Sequence, residues 1–242
     1  MITHPLLGEC LGTAVLIIFG DGVVANATLK KTYGEGANIL AITTSWFIGV
    51  MMGIFVAQSL GSVQADINPA VTLAKTFLGL YSISQMWLIM LVQLIGAAIG
   101  AIFVWLTYLP HWPLTKDGDA IRNCFCTSPA IRNIPANMIS EIIGTIILVI
   151  GVGAIFGHAT LGHPVDGLGP YLVGALVWGI GLALGGATGY AINPARDLGP
   201  RIIYAILPIK HKTTADWSYS WVPVISPFIG AIIAAIFWKL LF

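Results

Sequence analysis

ADINPAVTLA (residues 65–74) and AINPARDLG (residues 191–199) place the same Asn-Pro-Ala tripeptide in both halves of an otherwise strongly apolar chain. Asn suits the N-cap of a helix and Pro its first position, so each copy predicts a helix start, at Pro69 and at Pro194. The pattern runs on over 69–77 in the first case and 194–204 in the second. The first of these helices is roughly 13 Å long at 1.5 Å per residue, about half of a ~30 Å hydrocarbon core. In a membrane chain, short Gly/Pro-interrupted segments at matching places in two halves mark half-helices that line a solute site.

Composition puts the chain in a membrane. Of its 242 residues 57% are hydrophobic and only 9% charged, where a soluble domain carries roughly 25% charged residues. The net charge of +1 argues against a nucleic-acid partner. Six stretches reach the length of about 20 apolar residues that a spanning helix needs: 5–25, 38–58, 84–108, 137–156, 171–189 and 222–241. Trp105, Tyr108, Trp112, Trp217, Tyr219 and Trp221 gather near span ends, as an interfacial belt requires. Small residues four apart (Gly8/Gly12, Gly49/Gly53, Gly96/Gly100, Gly181/Gly185, Gly185/Gly189) predict close helix contacts in lipid. The N-terminus shows no basic region and no small-residue cleavage site, so no removable signal peptide is expected. Three cysteines, Cys10, Cys124 and Cys126, fit no zinc spacing or disulfide framework and read as free thiols.

The halves correspond beyond the tripeptide. GECLGT (residues 8–13) matches SEIIGT (residues 140–145), so Glu9, Gly12 and Thr13 return as Glu141, Gly144 and Thr145. The order in each half is span, span, half-helix, span. The chain divides into repeats over about 1–109 and 136–242 with a linker over 110–135, together one channel domain. Three spans per repeat is an odd number, so the second repeat inserts upside down and the two half-helices meet near the midplane by their N-termini. The fold class is all-α: six transmembrane helices plus two re-entrant half-helices in an inverted repeat.

With these residues in place the chain resembles the aquaporins, and within them the glycerol facilitators of Gram-positive bacteria. The resemblance covers nearly the whole chain. It rests on the boxes Asn68-Pro69-Ala70 and Asn193-Pro194-Ala195, on the Arg196-Asp197 that follows the second, and on the paired glutamates. It implies a passive channel for small uncharged solutes, chiefly glycerol with water, that excludes ions and protons. Undissociated lactic acid, dihydroxyacetone and hydrogen peroxide are further candidates. It also implies a homotetramer with one pore per subunit, a multi-pass protein of the cell membrane with cytoplasmic termini, and no cofactor or metal.

Asn68 and Asn193 are expected to offer donors and acceptors to a passing hydroxyl, while the partial positive charge of both half-helix N-termini raises a barrier to cations. Capping by the same asparagines is compatible with this. An arginine inside a membrane costs roughly 2.5–3.5 kcal/mol and usually marks a pathway. By resemblance Arg196 forms an outer selectivity filter with Trp46, Gly181 and Tyr190. Trp46 and Tyr190 would supply an apolar corner, and Gly181 leaves room for a three-carbon solute. Tyr190 stands where some relatives have Phe, and its hydroxyl could favour more polar solutes. Glu9 and Glu141 would accept hydrogen bonds from the half-helix loops, with Gln93 as further polar support, in preference to a proton relay. Asp197 resembles the mark of the glycerol-conducting branch.

Two features depart from the family pattern. Asp66 stands where the family usually has His, in a loop about two residues longer; it predicts either an acidic pore mouth or a carboxylate tied to local backbone amides. Lys30, Lys31, Lys116, Arg122, Arg132, Lys210 and Lys212 fall outside in the family topology, against Lys75 and Lys239 inside, which is contrary to the positive-inside rule. The rival readings are a water-selective channel, expected to place a bulky His where Gly181 sits, and an ion-coupled secondary transporter, which also uses broken helices. No enzyme signature is present, and His4, His111, His158, His163 and His211 lie in or near polar connections without ligand spacing.

Overall fold

The computed structural model describes residues 4–156 and 167–241, and within them the chain is helical with no strand. His158 and His163 lie outside the described residues. The first half holds α1 (Pro5–Thr28), α2 (Ile39–Ser59), the short α3 (Pro69–Phe77) and α4 (Ile83–Thr107). A one-turn helix, α5 (Gly118–Asn123), sits in the connection. The second half holds α6 (Ile134–Phe156), α7 (Leu168–Leu184), α8 (Pro194–Ile206), the single turn α9 (Trp217–Ser220) and α10 (Val222–Leu241). Among the described residues five helices, α1, α2, α4, α6 and α10, are long and apolar enough to cross a membrane, the 17-residue apolar α7 stands as the sixth in the order, and α3 and α8 are the two half-helices.

Local chemistry sets the ends. The Asn38 side chain accepts from the Leu40 and Ala41 amides, and Ser82 and Gln85 close a reciprocal capping box at α4. Helix α6 starts three residues before the expected 137, because the Asn133 side chain accepts from the Ala136 amide and Pro135 suits the first turn. Helix α7 ends at Leu184, five residues short of the expected 189. Gly185 and Gly186 follow, and Gly189 takes φ +78, a left-handed conformation that suits glycine.

Packing follows the small residues in the first half. Helix α1 lies against α2 and α4, α2 against α7, α4 against α8, and α10 against α6 and α3. A Cβ added to Gly12 would stand 2.5 Å from the Gly53 carbonyl oxygen, and one on Gly53 2.6 Å from that of Gly12. A Cβ on Gly96 would stand 2.0 Å from the Cys10 carbonyl oxygen, so the backbones touch as close-packed membrane helices do. The glycines of the second half depart from this expectation. Gly185 caps α7, Gly189 lies in a loop, and Gly181 faces an aromatic ring within the chain. The outward surface is apolar, with Trp87, Leu91, Phe103, Ile139 and Ile233 exposed, as lipid contact demands.

The linker is not the simple polar connection that its composition suggests. Trp112, Ile121, Cys124, Phe125 and Cys126 are buried; Trp112 stacks on Phe125 at 5.4 Å, and Phe125 lies 5.6 Å from the Tyr204 ring of α8. The three cysteines are free thiols. Burial pushes the Cys124 and Cys126 thiols up from their ordinary range.

Candidate functional site

Both half-helix starts are held in the same way. Glu9 of α1 accepts hydrogen bonds from the backbone amides of Asp66 (2.9 Å) and Ile67 (2.8 Å), and Glu141 of α6 from those of Ala191 (3.0 Å) and Ile192 (2.9 Å). These amides belong to irregular backbone. Ala65, Ile67, Tyr190 and Ile192 all take φ between +38 and +45, a region that bulky L-residues rarely adopt and that costs about 1–3 kcal/mol for each residue. The buried carboxylates offset that strain, because charged acceptors make the stronger hydrogen bonds. Gln93 of α4 donates to Glu9 at 2.9 Å and to Thr72 at 3.1 Å, and Ser62 donates to Glu9 at 2.6 Å.

Asn68 and Asn193 cross between the halves. Asn68 Nδ2 donates to the Ile192 carbonyl at 2.9 Å, and Asn193 Nδ2 donates to the Ile67 carbonyl at 2.9 Å. Their Oδ1 atoms accept from the first amides of their own helices, Ala70 for α3 and Ala195 and Arg196 for α8. Pro69 and Pro194 occupy the first helical positions, where no donor is needed. Capping and crossing use part of what each carboxamide offers. One N–H of each asparagine is engaged across the interface and the other remains; Asn193 Oδ1 accepts two amides, while Asn68 Oδ1 accepts one and keeps a second acceptor position.

Both asparagines line a cavity of ≈ 900 Å³ that also touches Asp66 and Lys75 towards one end and Trp46, Tyr190 and Arg196 towards the other. At the latter end the Arg196 guanidinium carbon lies 4.0 Å from the centre of the Trp46 ring. The Tyr190 ring fills the space beside Gly181, where an added Cβ would meet its Cζ at 2.9 Å. Gly181 therefore makes room for Tyr190, rather than leaving an opening of its own. The Tyr190 hydroxyl has no hydrogen-bond partner among the described residues.

Asp66 matches neither of the two expectations. Its side chain is fully buried and forms an ion pair with Lys75, while Thr72 and Tyr81 each donate to it at 2.9 Å. The carboxylate charge is neutralised, and its partners are side chains, not the local amides. Asp197 is likewise buried. It accepts from Arg201 Nε (2.7 Å) and Nη2 (2.8 Å), and from the Thr127 amide (2.8 Å) and hydroxyl (2.5 Å). Arg201 also donates to the Ala215 and Thr127 carbonyls, so this network ties α8 to the linker. Nearby, outside the spans, burial works against ionisation of Asp216, but hydrogen bonds from Arg132 and Ser218 hold its carboxyl below the ordinary range.

The roles of Asp21, Arg201, Lys75 and Tyr81 at the site escape the sequence reading, which counts Lys75 only as a charge beside the membrane. Asp21 carried a usable signal, since an ionisable residue inside an apolar span is a functional candidate by default. Arg201 lies four residues after Asp197 on one helix face, the spacing of a helical ion pair. Among the described residues no cluster of His, Cys, Asp and Glu is arranged to hold a metal ion.

A family model described as major intrinsic protein matches residues 2–238. A probable glycerol uptake facilitator protein of Thermotoga maritima is 51% identical over 98% of this chain and 98% of its own length. A D/L-lactic acid transporter of Lactiplantibacillus plantarum is 42% identical over 98% of this chain and 97% of its own. Among solved structures, the aquaglyceroporin of Plasmodium falciparum superposes with a TM-score of 0.84 at 27% identity, covering 98% of this chain and 95% of that one.

Proposed function

The chain belongs to the major intrinsic protein family, and on that premise we propose that it is a passive channel carrying glycerol and water across the membrane, with undissociated lactic acid as a further solute. The observation that carries the reading is the crossed asparagine pair at the N-termini of two short helices, lining one cavity. A solute oxygen there meets N–H donors and two positive helix ends. Neutral hydroxyls can accept such bonds by turning, whereas a cation or hydronium is repelled.

At the outer constriction Arg196 would donate to solute hydroxyls while Trp46 and Tyr190 contact the carbon chain. The Tyr190 hydroxyl is buried beside α7, so Tyr190 would meet the solute through its ring. Glu9, Glu141 and Gln93 support the loops, Asp197 fixes the start of α8, and Asp66 shapes the inner mouth without charging it.

The chain would form one channel domain from two inverted repeats, 1–109 and 136–242, joined by 110–135; the matched glutamates and matched positive φ values support this division. Cytoplasmic termini and a homotetramer follow from the family resemblance. The glycine pairs of the first half are used between helices of one chain and lend the tetramer no support. Transport without catalysis is the corollary.

Stopped-flow light scattering on proteoliposomes tests the function. Fast, non-saturating re-swelling is expected with glycerol, and with lactic acid only at low pH. Shrinkage without re-swelling for every solute overturns the glycerol reading. Arg196→Val should widen the pore and weaken discrimination among neutral solutes; unchanged selectivity in an inserted variant removes Arg196 from the filter. Orientation is tested at Lys116, which is exposed. Lys116→Cys should label from outside intact cells, whereas the buried Cys124 and Cys126 should not.

A further inference from the structure

We infer that Asp21 is a positioning residue of the outer constriction, holding the Arg196 guanidinium over the Trp46 ring and cancelling its charge, so that anions gain no attraction there. Asp21 lies on α1 and is 1% exposed, with Oδ1 3.5 Å from Arg196 Nη1. Its Oδ2 is buried and has no hydrogen-bond partner among the described residues. A carboxylate held out of water with one idle oxygen is costly. An apolar side chain would suit an α1 position far better, so the arginine it faces accounts for its presence.

The neighbouring residue completes the device. A Cβ on Gly20 would stand 2.2 Å from Trp46 Cη2 and Cζ3, so the indole rests directly on the Gly20 backbone. One short piece of α1 thus seats the ring and supplies the counter-charge of the guanidinium stacked on it. Asp197, next in sequence to Arg196, does not serve instead, since both of its oxygens are engaged by Arg201 and Thr127. Among the described residues Asp21 supplies the carboxylate within ion-pair distance of Arg196. Asp21 does not line the cavity, so it acts through Arg196 and not on the solute.

The consequence deepens the channel reading and rests on it. A lone guanidinium at a narrow, poorly hydrated point attracts anions strongly. Paired with Asp21 it keeps its N–H donors for hydroxyls and loses its net field. An organic acid then crosses as the neutral molecule and not as its anion.

The test uses the full chain in planar bilayers and proteoliposomes at pH 7.5, comparing lactate-anion conductance with glycerol flux. Asp21→Asn should raise the ratio of lactate conductance to glycerol flux by about tenfold, because one charge has been removed within a few ångströms of the path. Asp21→Glu should restore the wild-type ratio. In an Arg196→Val background Asp21→Asn should add nothing. A wild-type ratio in inserted Asp21→Asn, or an equal rise in the Arg196→Val background, overturns the inference. Asp21→Val, which removes the buried charge altogether, should behave as Asp21→Asn does. Failure of both to insert makes Asp21 a folding residue and also overturns it. Absence of glycerol flux in the wild type defeats the channel reading instead, and a lactate conductance that rises in Asp21→Asn is read independently of that result.

Discussion

The two loops that lead into α3 and α8 share a skeleton and differ in what is attached to it. In each a buried glutamate accepts two backbone amides, two non-glycine residues take positive φ, and an asparagine caps its own helix while reaching across to the other loop. Beyond that the halves part. The first loop closes on itself through Asp66, Lys75, Thr72 and Tyr81. The second is fastened to distant chain: Asp197 and Arg201 to the linker, Arg196 to α1. In the proposed channel the shared skeleton would build the midpoint of the path, where both sides present donors. The unshared attachments make the ends of the cavity unlike, one with the Asp66–Lys75 ion pair and the other with Arg196 stacked on Trp46.

Removing the fastening of the second loop has the largest expected effect. Arg201→Met leaves the Asp197 carboxyl fully buried and without its guanidinium partner. Breaking one side of such a pair costs about 3–5 kcal/mol. Unfolding in detergent followed by tryptophan fluorescence should show a loss of that order, with glycerol flux falling in proportion to the folded fraction. A loss below about 1 kcal/mol would mean that linker packing around Phe125 and Tyr204, not the ion pair, fixes α8.

The shared glutamates give the next effect and sharpen the comparison directly. Glu141→Gln should cost about 2–3 kcal/mol, because two amides at strained φ lose a charged acceptor. Glu9→Gln should cost more, since Ser62 and Gln93 also donate to it. Equal losses in the two variants would show that these extra donors contribute nothing.

The asymmetry of the mouths predicts a small change. Asp66→Asn removes a carboxylate already neutralised by Lys75 and shielded from solvent. Glycerol flux in proteoliposomes should stay within about twofold of wild type. A larger change would return the Asp66 end of the cavity to an electrostatic role.

The same contrast between local and distant attachment explains what the sequence discloses. Helix starts at Pro69 and Pro194 are legible because Asn-Pro chemistry acts within three residues. The end of α7 and the start of α6 depend on a glycine run and on Asn133, and the apolar pattern alone misplaces both. The linker reads as polar because Lys116, Asp117, Asp119 and Arg122 stand among its buried residues, Trp112, Ile121, Phe125 and the two cysteines, and their partner Tyr204 lies far along the chain. Asp66 shows the limit most plainly: its partners stand six, nine and fifteen residues away, and only the path of the loop brings them together. The positive φ values leave no trace in residue type, since Ile and Tyr are poor candidates for that region.

The smallest expected effect comes from charge that is attached to nothing distant. Lys30 and Glu35 pair at 2.7 Å in the loop after α1, with both side chains well exposed. The hydrogen bond from Lys30, and then that from the Lys31 amide, hold the Glu35 carboxyl below its ordinary range. A carboxylate depressed on folding contributes stability above its unfolded pKa and loses it as pH falls through the folded value. The contribution is therefore complete at pH 7 and disappears in acid below the ordinary glutamate range. Water and salt screen so exposed a pair, so Glu35→Gln should leave Tm at pH 7 unchanged in high salt. A slight decrease should emerge only at low ionic strength. A salt-independent decrease would instead show that the Lys31 amide needs a charged acceptor, since Gln offers it only the weaker neutral one.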